Sequence, residues 1–140
     1  MAALSARTLQ ELADRRAAEA TALLQLGHFS GAYYLAGYAL ECGLKAIIAR
    51  RFEAGVIPDK RYIQQIYTHR LADLLKMAEV EGERVELAER YPKFKANWLI
   101  ALDWSEESRY EIRDGAGAGA LVSAILEAES GVFEWVRSKW

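Results

Sequence analysis

Residues 31–49 read GAYYLAGYALECGLKAIIA. The stretch is almost continuously apolar, and only Glu41 and Lys45 within it are charged. They are four residues apart with the acid first, so a helix places them on one face. An apolar run of this length could cross a membrane, but two ionisable groups near its centre make that costly. We therefore expect a helix that is surrounded on nearly all sides inside a helical bundle.

The composition of the whole chain supports the same fold class. The chain has 140 residues, of which 52% are hydrophobic and only two are proline. This length suits one domain with a substantial core, which we place at residues 1–140. Because no strand-like alternation is present, the expected fold is an all-α, up-and-down bundle of four to five main helices.

Capping residues and breaks in the apolar pattern divide the chain into elements. The expected helices cover residues 5–26, 31–51, 59–67, 68–78, 84–102 and 120–140, with a kink or restart just before Pro92. Ser30 and Thr68 are expected to cap the helices that follow them. Residues 81–83 are expected to form a turn. The glycine-alanine run at residues 115–119 is expected to be a linker, since it lacks the ending of a phosphate-binding loop.

Net charge, cysteine content and histidine content exclude several classes of function. The net charge of −2 gives no overall basic field for coating nucleic acid. One cysteine and two distant histidines match no zinc spacing, so we expect no metal site and no cofactor. Cys42 lies within the apolar run, where a single cysteine is usually a small hydrophobic residue. The first sixteen residues mix acids with arginines, whereas a signal peptide has an apolar core. This composition favours a cytoplasmic protein.

Three groups of polar residues could carry chemistry. Glu41 and Lys45 form either an internal ion pair or the floor of a cleft, where they reach a third group such as His69 or Arg109. His69 is either structural or, at a helix N-terminus, a neutral base or hydrogen-bond donor. Residues 108–114, SRYEIRD, are either a self-paired charged run or an anion site. In the latter case two arginines would bind the anion and a tyrosine would stack on a base.

These segments together resemble a known family. A long first helix, the block AYYLAGYALECGLKA at 32–46, THRLADLL at 68–75, and Trp104 followed by SRYEI at 108–112 are similar to the HEPN domain. The name stands for higher eukaryotes and prokaryotes nucleotide-binding. The resemblance covers nearly the whole chain, and block 32–46 is its most specific part. It implies a helical bundle that commonly dimerises and often partners a minimal nucleotidyltransferase. Many other members are metal-independent ribonucleases, including toxins.

The chain departs from the ribonuclease motif of that family, an arginine followed by four to six residues and a histidine. No histidine follows Arg109 within a dozen residues, and Asp114 stands where one is expected. An aspartate is a poor general acid at neutral pH, and attack by a ribose 2′-hydroxyl needs a proton carrier.

The leading hypothesis is therefore a non-catalytic, homodimeric HEPN-like protein in a toxin–antitoxin-like context. It would bind a nucleotide, an RNA segment or a minimal nucleotidyltransferase. The alternatives are a ribonuclease with displaced catalytic residues, His69 and Arg109, and a purely structural dimerisation module. The expected ligand-binding residues are Glu41, Lys45, His69, Arg109, Tyr110, Arg113 and Asp114.

Overall fold

The computed structural model describes residues 3–140, which contain eight α-helices, one 3₁₀ helix and no strand. The α-helices are α1 (Ala6–Gln25), α2 (Phe29–Arg50), α3 (Lys60–Ile66), α4 (Leu71–Met77), α5 (Glu81–Arg90), α6 (Pro92–Leu102), α7 (Gly115–Leu126) and α8 (Val132–Arg137). The 3₁₀ helix is Glu106–Tyr110. The predicted all-α class is confirmed. Five of the α-helices have ten or more residues, and the other three are short.

Helix α2 is the centre of the fold, as its apolar sequence predicts. Thirteen of its 22 residues are buried, and it contacts α1, α4, α7, α8 and the 3₁₀ helix. A short turn at Gly27 joins it to α1, where a positive φ of 82° suits glycine. Both α1 and α2 bury small alanine side chains, which lets the two backbones pack closely along their lengths.

The N-terminal boundaries agree with the prediction at some caps and differ at others. The Ser5 hydroxyl accepts a hydrogen bond from the Thr8 amide and caps α1. Asp59 caps α3 through the Tyr62 amide. The expected Ser30 cap is wrong, because α2 already begins at Phe29. The Ser30 hydroxyl instead accepts a hydrogen bond from the Arg113 amide, at 2.9 Å.

The segment before α4 also differs from the prediction. Helix α4 begins at Leu71, so His69 lies outside it rather than in its first turn. The Thr68 hydroxyl accepts a hydrogen bond from the Arg70 amide and stabilises the turn that holds His69. His69 is therefore positioned by an irregular segment between α3 and α4.

Two predicted non-helical segments are helical. Residues 81–83 open α5 instead of forming a turn. The glycine-alanine run opens α7 instead of forming a linker, and the Asp114 carboxylate caps it by accepting a hydrogen bond from the Gly117 amide at 2.7 Å. This cap and the buried side chains further along α7 offset the low helix propensity of glycine.

The C-terminal half contains one expected break and one unexpected break. The break before Pro92 is present, and it separates α5 from α6. The predicted final helix, however, is interrupted at residues 127–131. A Cβ on Gly131 would lie 2.2 Å from the Glu127 carbonyl oxygen, so this turn needs glycine. On α6, Trp98 is buried as expected, but Leu99 is 65% exposed.

Within residues 3–140, no helix combines the length and apolar character that crossing a bilayer requires.

Candidate functional site

The buried Glu41 carboxylate is the centre of a polar cluster along one face of α2. Its residue is only 2% exposed, in a helix whose other buried residues are apolar or small. The Lys45 ammonium group, one turn later, donates a hydrogen bond to Glu41 Oε2 at 3.2 Å. A buried carboxylate needs such partners, because leaving its charge unpaired away from water is costly.

His69 supplies the second partner of Glu41. Its Nδ1 atom lies 3.1 Å from Glu41 Oε1 and 3.1 Å from Oε2. An ionised carboxylate only accepts hydrogen bonds, so Nδ1 carries a proton and donates it. The expected contact between the Glu41–Lys45 pair and His69 is therefore present. It fixes the ring orientation and directs the other nitrogen, Nε2, outward.

The outward nitrogen of His69 faces the 3₁₀ helix. His69 Nε2 lies 3.2 Å from Glu106 Oε2, and Arg109 Nη1 lies 3.7 Å from the same oxygen. Glu106 was not among the expected site residues, yet it connects His69 to Arg109. We call Glu41, Lys45, His69, Glu106 and Arg109 the Glu41 cluster.

The two carboxylate contacts of His69 differ in kind, because Nδ1 hydrogen-bonds to Glu41 and Nε2 lies within ion-pair distance of Glu106. A neutral imidazole has one N–H group, so the approach of Nε2 to Glu106 is an ion pair only when the ring is protonated. In that state the Glu41 cluster holds three positive and two negative charges. Only in that state does the cluster have a net positive charge, although the whole chain is acidic.

Trp104 and Gly37 fix the 3₁₀ helix against α2. Trp104 is buried, and its ring carbons lie 2.2 Å from the position that a Cβ on Gly37 would take. Only glycine permits this approach. The Tyr34 ring stacks between Tyr38 and Trp104, with centroid separations of 6.1 and 6.2 Å. Apolar packing on α2 thus determines where Glu106 and Arg109 lie.

Arg109 and Tyr110 form the exposed edge of the site. The Arg109 guanidinium lies 4.9 Å from the centroid of the Tyr110 ring, and this neighbour is the main reason that its pKa is raised. Arg109 is therefore cationic at every pH of interest. Tyr110 is 75% exposed, and one face of an exposed aromatic ring can stack on a base.

Arg113 and Asp114, which were also expected to bind ligand, are engaged elsewhere. The Arg113 guanidinium lies 4.0 Å from the centroid of the Tyr33 ring and forms an ion pair with Glu111. Asp114 caps α7. The structure therefore brings Glu41, Lys45, His69 and Arg109 together, with Tyr110 beside them, and gives Arg113 and Asp114 structural contacts.

Cys42 lies next to Glu41 in the chain but is buried in the core. Burial, followed by the nearby Glu41 charge, raises the pKa of the Cys42 thiol to about 11. A protonated thiol is a poor nucleophile at neutral pH. Cys42 therefore has the packing role that the sequence indicates.

The surface around the cluster is open. A groove of about 630 Å³ adjoins the His69 turn between α3 and α4, lined by Gln64, Gln65, Tyr67, Thr68, Asp73, Lys76 and Met77. Its lining does not include the cluster residues. Between residues 3 and 140, no three or more His, Cys, Asp or Glu side chains are arranged to hold a metal ion.

Comparisons of the chain with models of protein families, with curated proteins and with solved structures found no match.

Proposed function

We propose that this chain is a HEPN-like protein that binds a nucleotide or an RNA segment at the Glu41 cluster. One observation carries the proposal: His69 Nε2 and Arg109 Nη1 converge on a single oxygen at the protein surface. An imidazole nitrogen and a guanidinium that lie close to one oxygen suit a phosphate group, which nucleotides and RNA share.

The neighbouring aromatic residue supports a nucleotide over a simple anion. Tyr110 lies directly beside Arg109 and exposes most of its ring. A base can stack on such a ring while its phosphate binds the adjacent guanidinium. The Glu41–His69 contact holds the imidazole in place before the ligand arrives, which reduces the entropy lost on binding.

Binding is tested by calorimetry with AMP and ATP and by anisotropy of a labelled oligoribonucleotide. Arg109→Ala should weaken binding about tenfold or more, because a charge-assisted hydrogen bond is lost. Arg90→Ala is the matched control, since Arg90 is also an exposed arginine beside a tyrosine, Tyr91, but lies at the end of α5. Absence of binding, or equal loss in both variants, contradicts the proposal.

A ribonuclease is the second candidate, and the orientation of His69 favours it. Glu41 holds Nδ1, and Nε2 faces Glu106, whose carboxylate also pairs with Arg109, so a general acid or base would lie close to a phosphate-binding group. His69 lies near Arg109 in space although no histidine follows Arg109 closely in sequence. With its ring neutral, His69 would accept the ribose 2′-hydroxyl proton as that oxygen attacks phosphorus, and the P–O5′ bond would break as the 5′-oxygen takes a proton from the resulting imidazolium or from water.

RNA cleavage tests this second function. Activity should persist in a chelator and disappear in His69→Ala, in Arg109→Ala and on RNA methylated at the 2′-hydroxyl. His28→Ala is the matched control, because His28 precedes α2 outside the cluster. Cleavage that survives both site changes rules out this mechanism.

A homodimer and a minimal nucleotidyltransferase partner, in a toxin–antitoxin-like context, complete the proposal. A groove between α5 and α6, where the exposed Val85 and Leu99 side chains lie among charged residues, supports a dimer surface. Sedimentation should detect a dimer that Leu99→Glu disrupts, whereas Ile57→Glu, at an exposed loop position, leaves it intact.

A purely structural dimerisation module predicts a different result. Arg109→Ala and Arg113→Ala would then change neither dimerisation nor binding of the partner, and no nucleotide or RNA would bind.

A further inference from the structure

Glu106 lies where the proposed ligand would bind. Its Oε2 atom is the oxygen on which His69 Nε2 and Arg109 Nη1 converge, at 3.2 and 3.7 Å. Its side chain is one-third exposed. Glu106 therefore presents a carboxylate oxygen to the two donors that a phosphate oxygen would need.

We propose that Glu106 is a displaceable internal anion that competes with a phosphate group for His69 and Arg109. The inference rests on the proposed function and adds a mode of regulation to the same site. A phosphate bound by these donors replaces the Glu106 contacts one for one, so Glu106 reduces affinity without reshaping the site. Any change that moves the Glu106 carboxylate away from His69 and Arg109 leaves both groups free to bind a phosphate.

The position of Glu106 in the fold makes displacement physically reasonable. The 3₁₀ helix that carries it is only five residues long, and helices of this type have weaker hydrogen-bond geometry than α-helices. Glu106 contacts the cluster only through partly exposed partners, whereas Glu41 is buried beneath it. An exposed ion pair contributes little free energy and yields to a competing anion more readily than a buried one.

The structure also indicates which proton state keeps Glu106 bound. The contact from His69 Nε2 is attractive only while that nitrogen carries a hydrogen. The imidazole contacts Glu41 from α2 and Glu106 from the 3₁₀ helix, and these two carboxylates are paired with Lys45 and Arg109 respectively. A phosphate needs the same proton, so ligand and Glu106 compete for one form of His69.

Glu107 provides a matched control for the test. It is the next residue of the same 3₁₀ helix and carries the same charge, but it is exposed and forms no ion pair within the described chain. Removing either carboxylate changes the net charge of the chain by the same amount. Only Glu106→Gln and Glu106→Ala remove the competitor itself.

The experiment measures affinity for AMP, inorganic phosphate and oligoribonucleotides with or without a 5′-phosphate. Glu106→Ala should bind about tenfold more tightly than the unmodified chain, with Glu106→Gln between them and Glu107→Gln within about threefold. The two oligonucleotides separate a terminal phosphate from a backbone phosphodiester. Circular dichroism confirms that each variant is folded.

The outcomes separate the two proposals. If the unmodified chain binds but Glu106→Ala and Glu107→Gln have the same affinity, or if Glu106→Ala binds more weakly, the competition is wrong and the binding function stands. If neither the unmodified chain nor Glu106→Ala binds any of the probes, both proposals fail.

Discussion

The imidazole Nδ1 of His69 lies 3.1 Å from each carboxylate oxygen of Glu41, across 28 residues of sequence. This contact joins the turn before α4 to the most buried helix of the protein. The same carboxylate contacts two groups, since Glu41 also forms an ion pair with Lys45. The stability of the core and the geometry of the candidate site therefore depend on the same side chain.

Removing the Glu41 carboxylate should be strongly destabilising. Glu41→Ala leaves the Lys45 ammonium largely buried without its partner, which should lower the free energy of unfolding by about 3 kcal/mol or more. Urea unfolding measures the change. Glu11→Ala is the control, because Glu11 and Arg15 have the same spacing on the exposed face of α1 and should contribute less than about 1 kcal/mol. Equal effects would show that the buried pair is not special.

Gly37 should not tolerate even one added methyl group. In Gly37→Ala the new Cβ would overlap the Trp104 ring, so either α2 or the 3₁₀ helix must shift, at a cost of about 1–3 kcal/mol. The shift should also weaken ligand binding, because Trp104 positions Arg109. Gly119→Ala has open space around it and should instead stabilise α7 by up to about 1 kcal/mol. A neutral Gly37→Ala would contradict the packing described.

The Cys42 thiol should be unreactive in the folded protein. Because burial raises its pKa to about 11, very little thiolate is present at about pH 8. Reaction with a thiol reagent should be slow until denaturant is added, and the single cysteine makes the signal unambiguous. Rapid reaction without denaturant would contradict the burial.

The same shift sets the sign of a pH effect on stability. The pKa of the thiol has its ordinary value of 9.0 in the unfolded chain and rises to about 11 in the folded chain. Between these values the folded chain binds more protons, so this group makes stability fall as the pH rises. Cys42→Ala should flatten that part of the unfolding profile, while a wholly unchanged slope would argue against the raised pKa.

Asp114 should act as a helix cap. Asp114→Ala should destabilise the protein by about 1 kcal/mol, because the Gly117 amide loses its acceptor, whereas Asp114→Asn should retain most of the stability. Neither change should alter nucleotide affinity. Loss of affinity in both variants at unchanged stability would assign Asp114 to the ligand.

Local sequence signals were sufficient for much of the fold. The apolar run with two charges identified α2 as the central helix, and Pro92 marked the break before α6. The glycine-alanine run was misjudged because the cap at Asp114 and burial further along α7 outweigh intrinsic propensity. The three-residue spacing from Asp114 to Gly117 was the signal that could have corrected it.

The site was harder to predict because its parts come from distant segments. A lone acid in an apolar helix indicates that a partner must exist, but only the packing of α4 on α2 brings His69 to it. The sequence does not distinguish Glu106 from Glu107, because the two neighbouring residues are both glutamate. Which of the two faces His69 depends on how Trp104 is packed against Gly37.

Two contacts with α2 flank the segment that carries Glu106. Trp104 packs on Gly37, and the Arg113 amide bonds to Ser30. These points on α2 are about 10 Å apart along the helix axis, while the nine Cα–Cα steps from Trp104 to Arg113 could extend to about 30 Å. The segment is therefore longer than the distance that it must span. Glu106 has chain length to swing outward while both attachments, and the core beneath them, stay in place.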